Sequence, residues 1–270
     1  MTDMITSSNN QVIKKVASLK QKKYRDEYNL FVVEGIRLVE EAAGSTWRPA
    51  MCFYTEKAAA APRVQATLEI LAAKGCRIFP VADNVYAKIT DTEQPQGILC
   101  VMEKKRYTFD DLQSSDRELI VVLDNVQDPG NVGTVVRTAD AAGCCGVILT
   151  KGCADLFSGK TVRATMGSLF HLPVITGVAE QEVAAFLERQ GIRLLATALD
   201  SSSLYHDVDL RSPVAIVFGN EGAGVSKVIL EKADERLYIP LYGRAESLNV
   251  AVAAAVILYE ARRQRRVAYL

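Results

Sequence analysis

Leu119-Ile-Val-Val-Leu123-Asp124-Asn-Val-Gln-Asp128-Pro-Gly-Asn131-Val-Gly133 is the stretch on which the fold turns. Five apolar residues in unbroken succession, without the alternation of a half-solvated strand, fit a strand covered on both faces. The Asp, Asn, Pro and Gly residues that follow make a turn, and residues 134–142 then read as a helix closed by Gly143. Apolar runs of the same kind recur at 146–149, 194–198, 214–218 and 237–239, with helical stretches between most of them. Strand, turn and helix repeated in this order predict an α/β fold with a parallel sheet.

Upstream the pattern is different. Val12, Val16 and Leu19 fall at helical spacing, and strands are predicted over 30–33, 51–54, 77–81 and 98–102. A helix over 63–74 ends at Gly75. Residues 103–118 are polar and lack a sustained apolar period. The chain therefore divides into a smaller α/β domain over 1–104, a linker over 105–118 and a larger α/β domain over 119–270.

The 270 residues are 49% apolar, enough for two cores. No uncharged apolar stretch of about eighteen residues occurs, and polar Ser7-Ser8-Asn9-Asn10 stand where a signal peptide would be apolar, so a soluble cytoplasmic protein without membrane contact is expected. Six cysteines without a C-x-x-C pair, and two histidines, give no metal-ligand spacing; reduced, mostly buried thiols and no metal are expected. Thirty-two basic residues balance thirty-two acidic ones, which argues against indiscriminate nucleic-acid binding. Two clusters remain candidates for a local patch or for a solvated helix face: Lys14, Lys15, Lys20, Lys22, Lys23 and Arg25, and the tail Arg262, Arg263, Arg265 and Arg266.

Ligands in such sheets gather at the carboxyl ends of strands, which singles out three loops. The first is the Asn131 loop, with Arg137 further along its helix. The second is Gly219-Asn-Glu221-Gly222-Ala-Gly224-Val-Ser226, whose glycines permit close backbone approach. The third runs from Ile239-Pro240 to Ser247-Leu248-Asn249, with Ser247 an expected cap for the long helix that follows. Glu221 inside the glycine loop would repel a phosphate and suits a cationic cofactor or a hydroxyl donor. Ser158-Gly159-Lys160-Thr161 imitates the end of a phosphate-binding P-loop, but Ala154 stands where the motif needs glycine, which excludes a nucleotide triphosphatase.

Together, in this order, the three loops resemble the motifs of the SpoU/TrmH family of the SPOUT methyltransferase class: Asn131-Val-Gly133 with Arg137, Gly219-Asn-Glu221-Gly-Ala-Gly224-Val-Ser, and Ile239-Pro240 followed by Ser247-Leu248-Asn249-Val250-Ala251. Residues 160–173 are similar to a further stretch of that family. Ile13-Lys14, Arg25 and Phe31-Val-Val-Glu34-Gly35-Ile-Arg37 are similar to the substrate-binding domain fused to many members, itself like ribosomal proteins that bind structured RNA. The resemblance implies a parallel-sheet domain threaded by a deep trefoil knot, a homodimer, and S-adenosylmethionine held by Thr197, Ala198, Leu199, Gly219, Ile239, Leu241, Ser247 and Leu248. It implies 2′-O-methylation of a ribose in RNA, ribosomal RNA in preference to tRNA, with Asn131, Arg137, Glu221, Ser247 and Asn249 as catalytic residues. Lys14, Lys22, Lys23, Arg25, Arg37, Lys160 and Arg163 would meet the RNA. A non-catalytic RNA-binding assembly protein of the same fold is the rival from another class.

Overall fold

The first helix starts where a side chain replaces a missing backbone partner: Asn10 accepts a hydrogen bond from the Val12 N–H at 2.8 Å, and α1 (Gln11–Ser18) follows. The computed structural model describes residues 3–112, 118–199 and 201–266. It divides into two units, Met1–Lys105 with Phe157–Phe170, and Arg106–Leu156 with His171–Leu270.

After α1 the first unit continues through α2 (Lys22–Tyr28), β1 (Leu30–Glu34), α3 (Ile36–Gly44), β2 (Pro49–Tyr54), α4 (Glu56–Ala59), α5 (Pro62–Ala73), β3 (Arg77–Pro80), α6 (Asp83–Ile89) and β4 (Ile98–Glu103). Its four strands lie in the order β1-β4-β2-β3, antiparallel except for the parallel pair of β2 and β3. Met51, Phe53, Leu99 and Val101 alternate onto one face of this sheet and bury Ile13, Val16, Val85 and Tyr86 against it.

The chain then forms β5 (Leu119–Asp124), α7 (Pro129–Ala141), β6 (Gly146–Thr150), α8 (Gly159–Thr165), β7 (Val174–Val178), α9 (Glu180–Gln190), β8 (Arg193–Thr197), β9 (Ser203–Leu204), β10 (Val214–Gly219), α10 (Lys227–Lys232), β11 (Glu235–Tyr238) and α11 (Val250–Arg266). Seven strands form one sheet in the order β7-β6-β5-β10-β8-β11-β9, and every pairing in it is parallel. All six residues of β5 and all five of β6 are buried, as the unbroken apolar runs require. Ile120, Val122, Ile148, Ala215 and Val217 pack with Val183, Phe186 and Leu187 of α9 on one face.

Three elements depart from the sequence expectations. Helix α7 begins at Pro129, because Asp128 accepts from the Asn131 N–H at 2.8 Å and proline fits the first helical position. Residues 106–112 of the expected linker belong to the second unit: Phe109 stacks on Phe186 with ring centroids 4.3 Å apart, and Leu112 is buried in the sheet's core. Residues 113–117 of that linker lie outside the described residues. The P-loop look-alike is part of the first unit, where Ser158 caps α8 by accepting from the Thr161 N–H at 3.2 Å. Beside it Phe157 meets Phe31 at 4.9 Å between ring centroids, and Phe170 meets Trp47 edge-on at 5.3 Å.

The C-terminal arginines are only partly a solvated face. Arg262 reaches the carbonyls of Ala142 and Gly143, completing the C-terminus of α7. Arg265, 4% exposed, donates to the carbonyls of Leu210 and Ser212 at 2.8 Å each and of Glu118 at 3.2 Å. Arg263 pairs with Glu260 at 2.8 Å. Arg265→Met keeps the bulk and removes charged donors from buried carbonyls, so urea unfolding is expected to show a loss of about 2–4 kcal/mol. An unchanged midpoint would contradict this anchoring.

Candidate functional site

Strands β5, β10, β8 and β11 are neighbours in the sheet, so the loops at their carboxyl ends lie side by side. A cavity of about 590 Å³ is lined by the segments after β8, β10 and β11. Thr197, Ala198 and Leu199 line it from the end of β8, and Gly219 to Val225 from the end of β10. Ile239, Leu241, Ser247, Leu248 and Asn249 line it from the segment after β11. The structure therefore brings onto one wall system all eight residues singled out for the cofactor.

Backbone shape at the cavity depends on glycine. A β-carbon on Gly219 would meet the backbone of Gly224 and Val225 at 2.2 Å, so no larger residue fits there. Gly224 has φ +72°, a conformation that side chains disfavour. Asn220, which the sequence reading passed over, braces the loop: its Nδ2 donates to the Asn125 carbonyl at 2.9 Å, and its Oδ1 accepts from the N–H groups of Gly222 and Ala223, each at 2.9 Å. An asparagine two residues before a glycine is the signal that could have found it, since its side chain closes its own turn.

A polar string joins the first loop to the other two. Asn249 Nδ2 donates to Asn131 Oδ1 at 3.0 Å, and Asn131 Nδ2 donates to Glu221 Oε1 at 2.9 Å. Backbone N–H groups of Gln127 and Asp128 also point at the Glu221 carboxylate, at 3.4 Å. Burial alone would raise the Glu221 carboxyl, but the Asn131 amide and the backbone N–H groups outweigh it, and the net shift is downward. Asn249 is also the cap of α11, accepting from the N–H groups of Ala251 at 2.9 Å and Val252 at 3.3 Å. This corrects the assignment of that cap to Ser247, which is exposed on the cavity wall.

Arg137 lies on α7, exposed, with no hydrogen bond or ion pair among the described residues, and it does not line the cavity. In the first unit Lys14, Lys22, Lys23, Arg37 and Lys160 are exposed and Arg163 half-buried. Arg25 is a correction to the expected surface position: it is 5% exposed and donates to the carbonyls of Leu19 at 2.7 Å and Lys20 at 2.8 Å, so its guanidinium ties off α1. All six cysteines are free thiols.

Among the described residues no group of His, Cys, Asp and Glu is placed to hold a metal ion, and no helix is long and apolar enough to cross a membrane. Because the Glu221 carboxyl is lowered in the folded protein, the bracing it provides is complete above the ordinary value of 4.5 and is lost as pH falls through the lowered one. The Asn131 side-chain amide resonances should therefore stay constant from neutral pH down to about pH 5 and shift only below 4.5. Glu221→Gln should erase that step; a midpoint above 4.5 in the unmodified protein would contradict the bracing.

Residues 118–259 match the SpoU rRNA Methylase family, and residues 10–100 match the MRM3-like substrate binding domain. The chain is 39% identical over 260 residues to the 23S rRNA (guanosine(2553)-2′-O)-methyltransferase RlmP of Bacillus subtilis (strain 168), covering 96% of this chain and 98% of that one. It is similar to the AdoMet-bound rRNA methyltransferase from Sinorhizobium meliloti, with TM-score 0.88, 37% identity and 97% of each chain covered. It is also similar to the SpoU methyltransferase AviRb from Streptomyces viridochromogenes in complex with AdoMet, with TM-score 0.89, 29% identity, and 96% of this chain and 99% of that one covered. With its α/β fold, its large parallel sheet and these matches over nearly its whole length, the chain belongs to the SpoU rRNA methylase family.

Proposed function

We propose that this protein transfers a methyl group from S-adenosylmethionine to a ribose 2′-hydroxyl of ribosomal RNA. One observation carries the proposal: three separate chain segments line a cavity that no lysine or arginine lines, with a carboxylate at its edge held in its charged form. Such a donor set is wrong for a polyphosphate and right for a positively charged sulfonium. The volume of about 590 Å³ suits a small-molecule ligand, and Phe218, Leu237, Ile239, Leu241, Leu248 and Ile257 give it apolar walls. Thr197 to Leu199, Gly219, Ile239, Leu241, Ser247 and Leu248 would hold S-adenosylmethionine. When bound, the cofactor supplies an activated methyl group on a cationic sulfur.

The chain's own residues then align and neutralise. Asn131, Glu221 and Asn249 fix one another and so fix the foot of α7. Of the two roles open to Arg137, base or charge stabiliser, the second suits a guanidinium better. It binds the phosphate beside the target ribose and stabilises negative charge growing on the ribose oxygen. Arg137 faces solvent away from its own cavity, which supports a homodimer in which it completes the partner's site. Exposed Leu199, Leu248, Val252 and Tyr259 add apolar surface for such a dimer. Helix α11 returns onto α7 beside the parallel sheet, a packing compatible with a trefoil-knotted path around the cofactor site.

In the first unit, RNA contact is supported by a ladder on α1 and α2. The rings of Tyr24 and Tyr28 stack with centroids 6.0 Å apart, Lys15 Nζ lies 4.5 Å from the Tyr28 centroid, and Lys23 Nζ lies 5.6 Å from that of Tyr24. Lys14, Lys15 and Lys23 form no ion pair among the described residues, whereas Lys22 lies close enough to Asp26 to help lower its carboxyl. Unpaired cations interleaved with aromatic rings suit a phosphate backbone with unstacked bases. Relatives that match this chain over more than nine-tenths of their length and are named for 23S rRNA favour ribosomal RNA over tRNA.

Arg137→Ala is expected to lower methyl transfer to ribosomal RNA by at least about 100-fold while calorimetry shows S-adenosylmethionine affinity within a few fold. Full turnover by that variant would remove its assigned role. Replacing Lys14, Lys22 and Lys23 together with alanine should weaken RNA binding and reduce the slope of log affinity against log salt by about 2–3, with cofactor affinity unchanged. An unaltered slope would place the RNA elsewhere.

A further inference from the structure

Strand β5 ends on a carboxylate that none of the catalytic assignments uses. Asp124 is 1% exposed and has no ion pair among the described residues. A buried carboxylate without a cation is costly unless its oxygens are met by donors. Here they are: Oδ1 accepts from the Thr150 hydroxyl at 3.0 Å, and Oδ2 accepts from the Ser226 N–H at 2.7 Å. Thr150, also 1% exposed, in turn accepts from the Asn125 N–H at 3.0 Å, which fixes the direction in which its hydroxyl points.

Ser226 is the last residue of the glycine loop and the N-cap of α10. Asn220, at the start of the same loop, donates to the carbonyl of Asn125. Two consecutive residues at the end of β5 therefore grip the loop at both ends. The register places Asp124 directly beside Gly219, where the cavity wall begins. Between the two grips the turn is closed on itself, by Asn220 and Gly224 exchanging backbone hydrogen bonds at 3.0 Å and by Asn220 Oδ1, so the grips fix where this closed turn sits against β5.

We propose that Asp124 is a positioning residue for the cofactor loop: its carboxylate, oriented by Thr150, latches the Ser226 N–H and so pre-forms the backbone that receives S-adenosylmethionine. The inference rests on the reading of this cavity as the cofactor site. Asp124 does not touch the cofactor. Its contribution is the acceptor it offers to Ser226, and its charge is incidental.

That distinction sets the test. Asp124→Ala removes the acceptor, and the dissociation constants of S-adenosylmethionine and of uncharged S-adenosylhomocysteine should rise alike, by about tenfold. The kcat at saturating cofactor should stay within about threefold, because the loop's cost falls on binding. Asp124→Asn keeps an oxygen for Ser226; its new N–H can donate to Thr150, whose hydroxyl can turn to the Lys151 carbonyl at 3.4 Å. That variant should bind both ligands within about threefold of the unmodified protein. Amide hydrogen exchange of the ligand-free Asp124→Ala protein should speed up over residues 220–226 while β5 and β10 stay protected.

A folded Asp124→Ala protein with unchanged affinities and unchanged exchange would overturn the latch. So would an Asp124→Asn protein as impaired as Asp124→Ala, or a loss confined to the charged ligand, since either makes the charge the active feature. Should Asp124→Ala not fold, Thr150→Val decides: faster exchange over 220–226 and weaker binding of both ligands support the latch, and no change in either overturns it. Exchange is read without ligand, so the latch is judged even if the unmodified protein fails to bind S-adenosylmethionine, a result that would overturn the cofactor reading alone.

Discussion

The site depends on the side-chain amide of Asn131, which takes a hydrogen bond from Asn249 and gives one to Glu221. Glu221 can only accept, and Asn249 has already committed its oxygen to the N-terminus of α11. The string from Asn249 through Asn131 to Glu221 therefore has a single direction in which every donor meets an acceptor. It ties the loop that opens α7 to two segments much later in the chain, with separations of 90 and 118 residues across its two links. Satisfied networks of this kind rigidify what they join, and here they join the glycine loop, the foot of α7 and the start of α11.

Helix α11 is the second member of this construction. Its N-terminus is capped by Asn249, and its far end is tied to the body of the sheet through Arg262 and Arg265. The residues that close the cavity from this side, Val250, Ala253 and Ile257, thus sit on a helix fixed at both ends. Charge is distributed to match: the cavity is without basic side chains, whereas Lys14 and Lys15 on α1 and Lys22 and Lys23 on α2 of the other unit are exposed. A neutral chain can in this way hold a cation in one place and present cations to an RNA in another.

Much of this was legible in the sequence because burial on both faces leaves a plain trace. The apolar runs placed β5, β6, β8 and β10 within a residue or two, and the parallel sheet followed from what separates them. Strand β7 gave no such trace: Val174–Val178 contains Gly177, and two of its five residues are exposed. The start of α7 was hidden by Pro129 and Gly130, which read equally as a turn or as the first turn of a helix. Ser247 and Asn249 are comparable caps, and only the chain's path decides between them. Arg265 was read as surface because of its charge, yet it continues the buried stripe of Leu258 and Ala261 at helical spacing, a periodicity that composition overrides at first sight. Buried Arg25 escaped for the same reason, since a long side chain can turn inward to carbonyls that no sequence pattern displays.

The central claim is that three separate segments form one receptor for a sulfonium cofactor. The most direct measurement is a hydrogen-exchange footprint of the intact protein with and without S-adenosylmethionine. Added cofactor should slow exchange together at residues 197–199, 219–225 and 239–249, leaving the first unit unaffected. Protection in one of these segments alone, or in none at a saturating concentration, would contradict the account.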